Sequence, residues 1–152
     1  MTATGQRPQL SLRRTYPAPP DLVFRALTEP GLLERWLRPS PDVTVRVERL
    51  DLRVGGRYRF VFGLPGDRTS TVIGEYRTIA APARLAFTWT WEPPDEHAGI
   101  ETLVTIDLAA KDGGTELALT HTGFPTEEVM RRHEQGWGGC LETLRELASE
   151  PI

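Results

Sequence analysis

The 152-residue sequence has one cysteine, Cys140, and one lysine, Lys111. A single thiol closes no internal disulfide, so the chain must fold on its core alone, and it fits a reducing, cytoplasmic compartment. Basic residues number 18 against 21 acidic ones, a net charge of −3. That balance leaves no electrostatic footprint for nucleic acid. No apolar run approaches the length of a membrane span, and the opening MTATGQRPQ lacks the apolar segment of a signal peptide, so neither a membrane nor an export route is expected. The sequence has no H-E-x-x-H, C-x-x-C or aspartate-rich loop, and no G-x-S-x-G. Its glycine-bearing turns, Gly63–Gly66 and Gly113-Gly114, lack the Lys-Ser/Thr of a phosphate loop. No metal, cofactor or catalytic nucleophile is expected. The bias toward arginine fits GC-rich coding.

The chain does contain apolar patterning over a length that suits one domain. Residues 1–8 are polar and read as a frayed tail, leaving residues 9–150 as the domain. The one stretch long enough for a helix of about six turns is Pro125–Ala148. Pro125 suits its first turn, and Glu127 and Glu128 complement the helix N-terminus. Val129, His133, Trp137, Cys140, Leu144 and Leu147 form one stripe at helical spacing. Gly136, Gly138 and Gly139 interrupt it, which predicts a close neighbour against the backbone around Trp137. Near the other end, Asp21–Thr28 and the segment GLLERWL after Pro30 read as two short helices. They are too short to stand without packing.

Elsewhere the period is two. Leu10 and Leu12 mark a first strand in Gln9–Tyr16. Val43, Val45 and Val47 mark a second; Tyr58, Phe60 and Phe62 a third; Thr69–Ile79 spans a fourth. Leu85, Phe87, Trp89 and Trp91 give the strongest alternation, and strands at Thr102–Leu108 and Leu117–His121 follow. Short turns join the last six strands, so an antiparallel meander is expected. The predicted fold class is α+β: a curved antiparallel seven-stranded sheet wrapped around a long C-terminal helix, with two short helices between the first and second strands.

Several motifs carry a family resemblance. They are Ala18-Pro19-Pro20 with Val23-Phe24 and Ala26-Leu27-Thr28, then Leu33 and Trp36, then Asp51-Leu52-Arg53-Val54-Gly55-Gly56. Ala81-Pro82 with Leu85-Ala86-Phe87-Thr88-Trp89 follows, then Leu119-Thr120-His121 with Gly123-Phe124, and Gly136-Trp137 with Leu141 and Leu144. In this order the chain resembles the START-like, or SRPBCC, superfamily, and within it the homologues of the activator of the heat-shock chaperone ATPase. The resemblance implies a helix-grip (Bet v 1-like) fold with a cavity between sheet and long helix. In ligand-binding relatives that cavity takes apolar or amphipathic small molecules. It also raises a chaperone as partner and a cyclase- or hydrolase-like enzyme using a cavity histidine as alternatives. Fold alone does not fix a function.

The aromatic alternates are the candidate ligand-binding set: Trp36, Tyr58, Phe60, Phe62, Phe87, Trp89, Trp91 and Trp137. They read either as dry core or as walls of a site for a hydrophobic small molecule. Large rings facing a helix interrupted by glycines favour the second. His121 and His133 join the set as hydrogen-bond partners of a ligand or as satisfied buried histidines. Tyr58, Thr120, His121 and Glu75 are candidate polar groups of the site. His97 lies in the charged tip Glu92–Gly99 and reads as solvated, while Cys140 reads as packing. Arg53, Arg57 and Arg59 read as a surface stripe or an anion site. A homodimer is a further candidate partnership.

Overall fold

In the computed structural model, which describes residues 7–150, the period-two segments become seven strands. They are β1 (Leu10–Tyr16), β2 (Thr44–Leu50), β3 (Arg57–Leu64), β4 (Arg68–Ala80), β5 (Arg84–Trp91), β6 (Thr102–Lys111) and β7 (Gly114–Thr122). The helices are α1 (Pro20–Thr28), α2 (Pro30–Trp36) and α3 (Glu127–Ala148). Of the expected frayed tail, residues 1–6 lie outside the described residues, and Arg7 reaches the Gly123 carbonyl at 3.4 Å.

All strand pairs are antiparallel, in the order β1-β7-β6-β5-β4-β3-β2. The α1–α2 connection carries the chain from one edge of the sheet to the other. Irregularities between Val47 and Arg49 and between Tyr76 and Thr78 break the register. Such breaks bend strands, and this sheet curves around α3. Side chains cap both edges. The Glu34 carboxylate accepts the Val47 N–H at 2.9 Å, and Arg145 donates to the Thr15 carbonyl at 2.9 Å.

Helix α3 buries Trp137, Cys140, Leu141 and Leu144 against the sheet. Tyr16 of β1 ties it down by donating its hydroxyl to the Leu141 carbonyl at 2.9 Å. Pro125 is not in its first turn. Thr126 is the N-cap, its hydroxyl accepting the Val129 N–H at 3.2 Å, so the helix begins at Glu127. The expected close neighbour is the α2–β2 connection. A Cβ on Gly139 would stand 2.0 Å from the Pro39 carbonyl oxygen, whereas one on Gly138 would meet nothing within 4 Å. Among the described residues no helix is long and apolar enough to cross a membrane.

Candidate functional site

A cavity of about 300 Å³ opens between α3, the ends of β3 and β5, and two connections. Phe62 and Leu64 come from β3, Trp89 and Trp91 from β5, and His133, Gly136, Trp137 and Cys140 from one face of α3. Leu37, Pro39 and Val43 enter from the α2–β2 connection, and Asp95, Glu96 and His97 from the β5–β6 tip. The tip is held over the sheet because Ser70 of β4 donates to Asp95 at 2.6 Å. It is held to α3 because Arg132 pairs with Glu96.

Of the ten predicted ligand-binding residues, Phe62, Trp89, Trp91, His133 and Trp137 converge on this cavity. Trp36, Tyr58, Phe60 and Phe87 do not line it; they surround a separate void of about 20 Å³, too small for a ligand, and form packed core. Their polar atoms are spent within the fold. Trp36 Nε1 donates to the Ala26 carbonyl at 2.6 Å, and the Tyr58 hydroxyl to the Thr88 carbonyl at 2.5 Å. Glycine at 74 makes that second bond possible: a Cβ there would stand 2.5 Å from the Tyr58 hydroxyl and 2.0 Å from the Thr88 carbonyl. Tyr58 is therefore unavailable as a polar contact. Thr120 alternates away from buried His121, and Glu75 lies on the opposite face of the sheet, so neither reaches the cavity.

His121 is fully buried but turned away from a ligand role. The indole N–H of Trp137 donates to His121 Nδ1 at 3.0 Å. Indole is a donor only, so Nδ1 is the bare nitrogen and Nε2 carries the proton. Nε2 then donates to Thr102 Oγ1 at 2.6 Å, which donates to the Trp89 carbonyl at 2.8 Å. Both nitrogens are committed, which removes His121 as an acid–base group for a bound molecule. His133 shows the mirror arrangement. Its Nε2 accepts from Trp91 Nε1 at 2.9 Å and its Nδ1 donates to the Val129 carbonyl at 2.8 Å. Burial holds His121 well below the ordinary imidazole value, with proximity to His133 adding to the effect. Burial also lowers His133, partly offset by its bond to Val129.

His97 is not a solvated tip residue. Its side chain is 20% exposed, its ring stands 6.2 Å from that of His133, and its Nε2 is buried with no hydrogen-bond partner among the described residues. Cys140 packs at the cavity wall, and burial pushes its thiol up. Phe124, which the sequence offered only as part of the family motif, does not line the cavity; it is fully buried behind it, with its ring centroid 4.4 Å from His121 and 4.9 Å from His133. Arg57 and Arg59 lie on the sheet face turned away from α3, and Arg53 lies in the β2–β3 connection. Arg53 pairs with Asp51 at 2.7 Å and Arg59 with Glu92 at 2.8 Å, so carboxylates already hold those two guanidinium groups.

The family model described as Activator of Hsp90 ATPase homolog 1-like protein matches residues 17–149. A solved structure from Chromobacterium violaceum is 27% identical, with a TM-score of 0.85, covering 94% of this chain and 98% of that one. The AHSA1 protein from Silicibacter pomeroyi is 27% identical, with a TM-score of 0.80, covering 93% and 98%. A solution structure from Arthrobacter aurescens, at 24% identity and a TM-score of 0.82, covers 99% and 94% and shares the fold. No curated protein matches the chain.

Proposed function

The chain belongs to the Activator of Hsp90 ATPase homolog 1-like family, a START-like, helix-grip group, and we propose that it is a binding protein holding a small, largely apolar molecule between α3 and the sheet. The observation that carries this reading is the cavity of about 300 Å³ walled by Phe62, Trp89, Trp91 and Trp137. A cavity of about 150 Å³ suffices for benzene, so this one suits a molecule of one or two rings. The volume stands at the lower end of ligand sites, which run from about 300 to 1,000 Å³. The lining is mainly aromatic and aliphatic, with polar groups at the mouth. A carrier or receptor role fits this arrangement better than catalysis, because the His121 and His133 nitrogens are engaged with protein partners. The buried thiol is compatible with a cytoplasmic setting.

Titration of the intrinsic tryptophan fluorescence with one- and two-ring aromatic compounds tests the reading. Saturable quenching or a spectral shift is expected, because three of the four tryptophans line the cavity. No response across the panel would remove it.

A second reading, a chaperone-associated module, rests on the β2–β3 connection. Leu52 is 41% and Val54 65% exposed there, and they flank Arg53. An exposed apolar pair beside a cation suits a protein contact. Stimulation of a chaperone ATPase that is lost in Val54→Asp would support it; no stimulation by the intact chain would count against it.

A further inference from the structure

Resting on the ligand-binding reading above, we infer that Trp89, Trp137 and Leu37 form a fixed partition that sets the depth of the site, so that it takes a compact ring molecule and turns away a long-chain lipid. The interior between the helices and the sheet holds two adjacent spaces. One is the cavity of about 300 Å³ beside the β5–β6 tip, and the other is the void of about 20 Å³ under α1 and α2. The inward residues of two strands pass from one space to the other. On β3, Leu64 and Phe62 line the cavity, and Phe60 and Tyr58 the void. On β5, Trp91 lines the cavity, Trp89 borders both spaces, and Phe87 and Leu85 line the void. Trp137 of α3 and Leu37 of the α2–β2 connection are the other two residues that border both.

The partition is closed and held in place. Leu37 and Trp137 are each 3% exposed and Trp89 5%, although each borders both spaces. The Trp89 and Trp137 rings are in contact, with centroids 5.1 Å apart. The Trp137 N–H is tied to His121 Nδ1, and His121 is tied through Thr102 to the Trp89 carbonyl, so one polar chain holds both tryptophans. Swinging Trp137 aside would strand its N–H and the His121 nitrogen in the core, at the cost of two unsatisfied buried groups. A ligand therefore stops at the two indoles. Glu96 and Arg132 line the cavity with exposed side chains and mark its mouth, so the apolar end of an amphipathic molecule points inward, against the partition. Beyond it β5 runs on from Phe87 to Leu85, about 7 Å of further depth that the partition closes to a long chain.

Calorimetric titration with para-alkylphenols, from ethyl to octyl, tests this, because the hydroxyl favours the mouth and the tail reaches inward. In the unsubstituted chain affinity should rise about fourfold per methylene and then stop rising within the series. In Trp137→Ala and in Leu37→Ala the rise should continue to longer tails. Ile106 lines the void and not the cavity, so Ile106→Ala loosens the same core without opening the partition and should leave the stopping point where it was. An unbroken rise to octyl in the unsubstituted chain would overturn the inference and leave the cavity reading standing. So would an equal shift of the stopping point in Ile106→Ala and Leu37→Ala, or no shift in Leu37→Ala. Binding of no member of the series would overturn the inference together with the reading beneath it. The unsubstituted series and Leu37→Ala do not depend on Trp137→Ala folding.

Discussion

The indole N–H of Trp137 stands 3.0 Å from His121 Nδ1 and fixes the tautomer of a β7 histidine buried against α3. That contact joins the helix to the sheet through a polar chain that continues to Thr102 and the Trp89 carbonyl. His121 and Thr102, neither of which lines the cavity, stand behind the wall that Trp89 and Trp137 form.

His121→Leu should therefore act on stability. It strands the Trp137 N–H in the core, and one buried donor without a partner costs about 1–3 kcal/mol. Trp137→Phe removes the other end, and the pair should couple by about 0.5–3 kcal/mol. Urea unfolding of the two single variants and the double variant checks this. Strict additivity would show that the two side chains do not interact.

Stability should fall in mild acid. Both His121 and His133 are held neutral by burial, below the ordinary imidazole value. Their folded pKa values are depressed, so above the unfolded value of about 6.5 neither state binds the proton and the contribution is fully present. As pH drops through about 6.5 the unfolded chain takes up protons that the folded chain refuses, and stability declines by up to about 1.4 kcal/mol per pH unit per histidine. Thermal unfolding between pH 8 and 5 should show the decline, and His133→Gln should make it shallower. A flat profile would mean that the imidazoles protonate without loss of structure.

The α3 glycines should respond in opposite directions. Gly138→Ala meets open space and gains helix propensity, so it should stabilise by about 0.5–1 kcal/mol. Gly139→Ala would place a methyl 2.0 Å from the Pro39 carbonyl oxygen and must push α3 from the α2–β2 connection. The cost should be about 1–3 kcal/mol, the range for overpacking a fitted contact. Comparing the two melting temperatures checks this, since both changes add the same methyl group.

Core and cavity should separate by mutation. Phe87 packs edge-on against Tyr58 with ring centroids 5.7 Å apart and does not line the cavity. Phe87→Leu should cost about 1–3 kcal/mol of stability and change ligand affinity less than twofold. Calorimetric unfolding alongside a binding titration reads both quantities. A large loss of affinity would place Phe87 in the site after all.

The sheet was legible because alternation along a strand is a local property, and Leu85, Phe87, Trp89 and Trp91 announce a strand without reference to the rest of the chain. The long helix was legible for the same reason. The six lining residues that come from connections were not. Leu37, Pro39, His97 and Asp95 come from connections without periodicity, and they meet the cavity only because the α2–β2 and β5–β6 segments fold over its mouth. The division of the aromatics was also hidden. Tyr58, Phe60 and Phe62 share one face of β3, yet Phe62 reaches the cavity while the first two close the core beneath α2. Position along the strand decides this, and alternation reports only the side. Tyr58 looked like a free polar group because its bond to Thr88 depends on the absence of a side chain at Gly74 across the β3–β4 pair.

The most direct measurement is a naphthalene titration of the unsubstituted chain and of Gly136→Leu, followed by 15N NMR of the tryptophan indoles. Gly136 lines the cavity, and a Cβ there makes an ordinary contact with Pro39 at 3.8 Å, so leucine should occupy ligand space while favouring the helix. Saturable movement of the Trp91 and Trp137 signals in the unsubstituted chain, abolished in a folded Gly136→Leu, is the result expected. Absent movement in the unsubstituted chain, or equal movement in both proteins, would contradict a ligand site between α3 and the sheet.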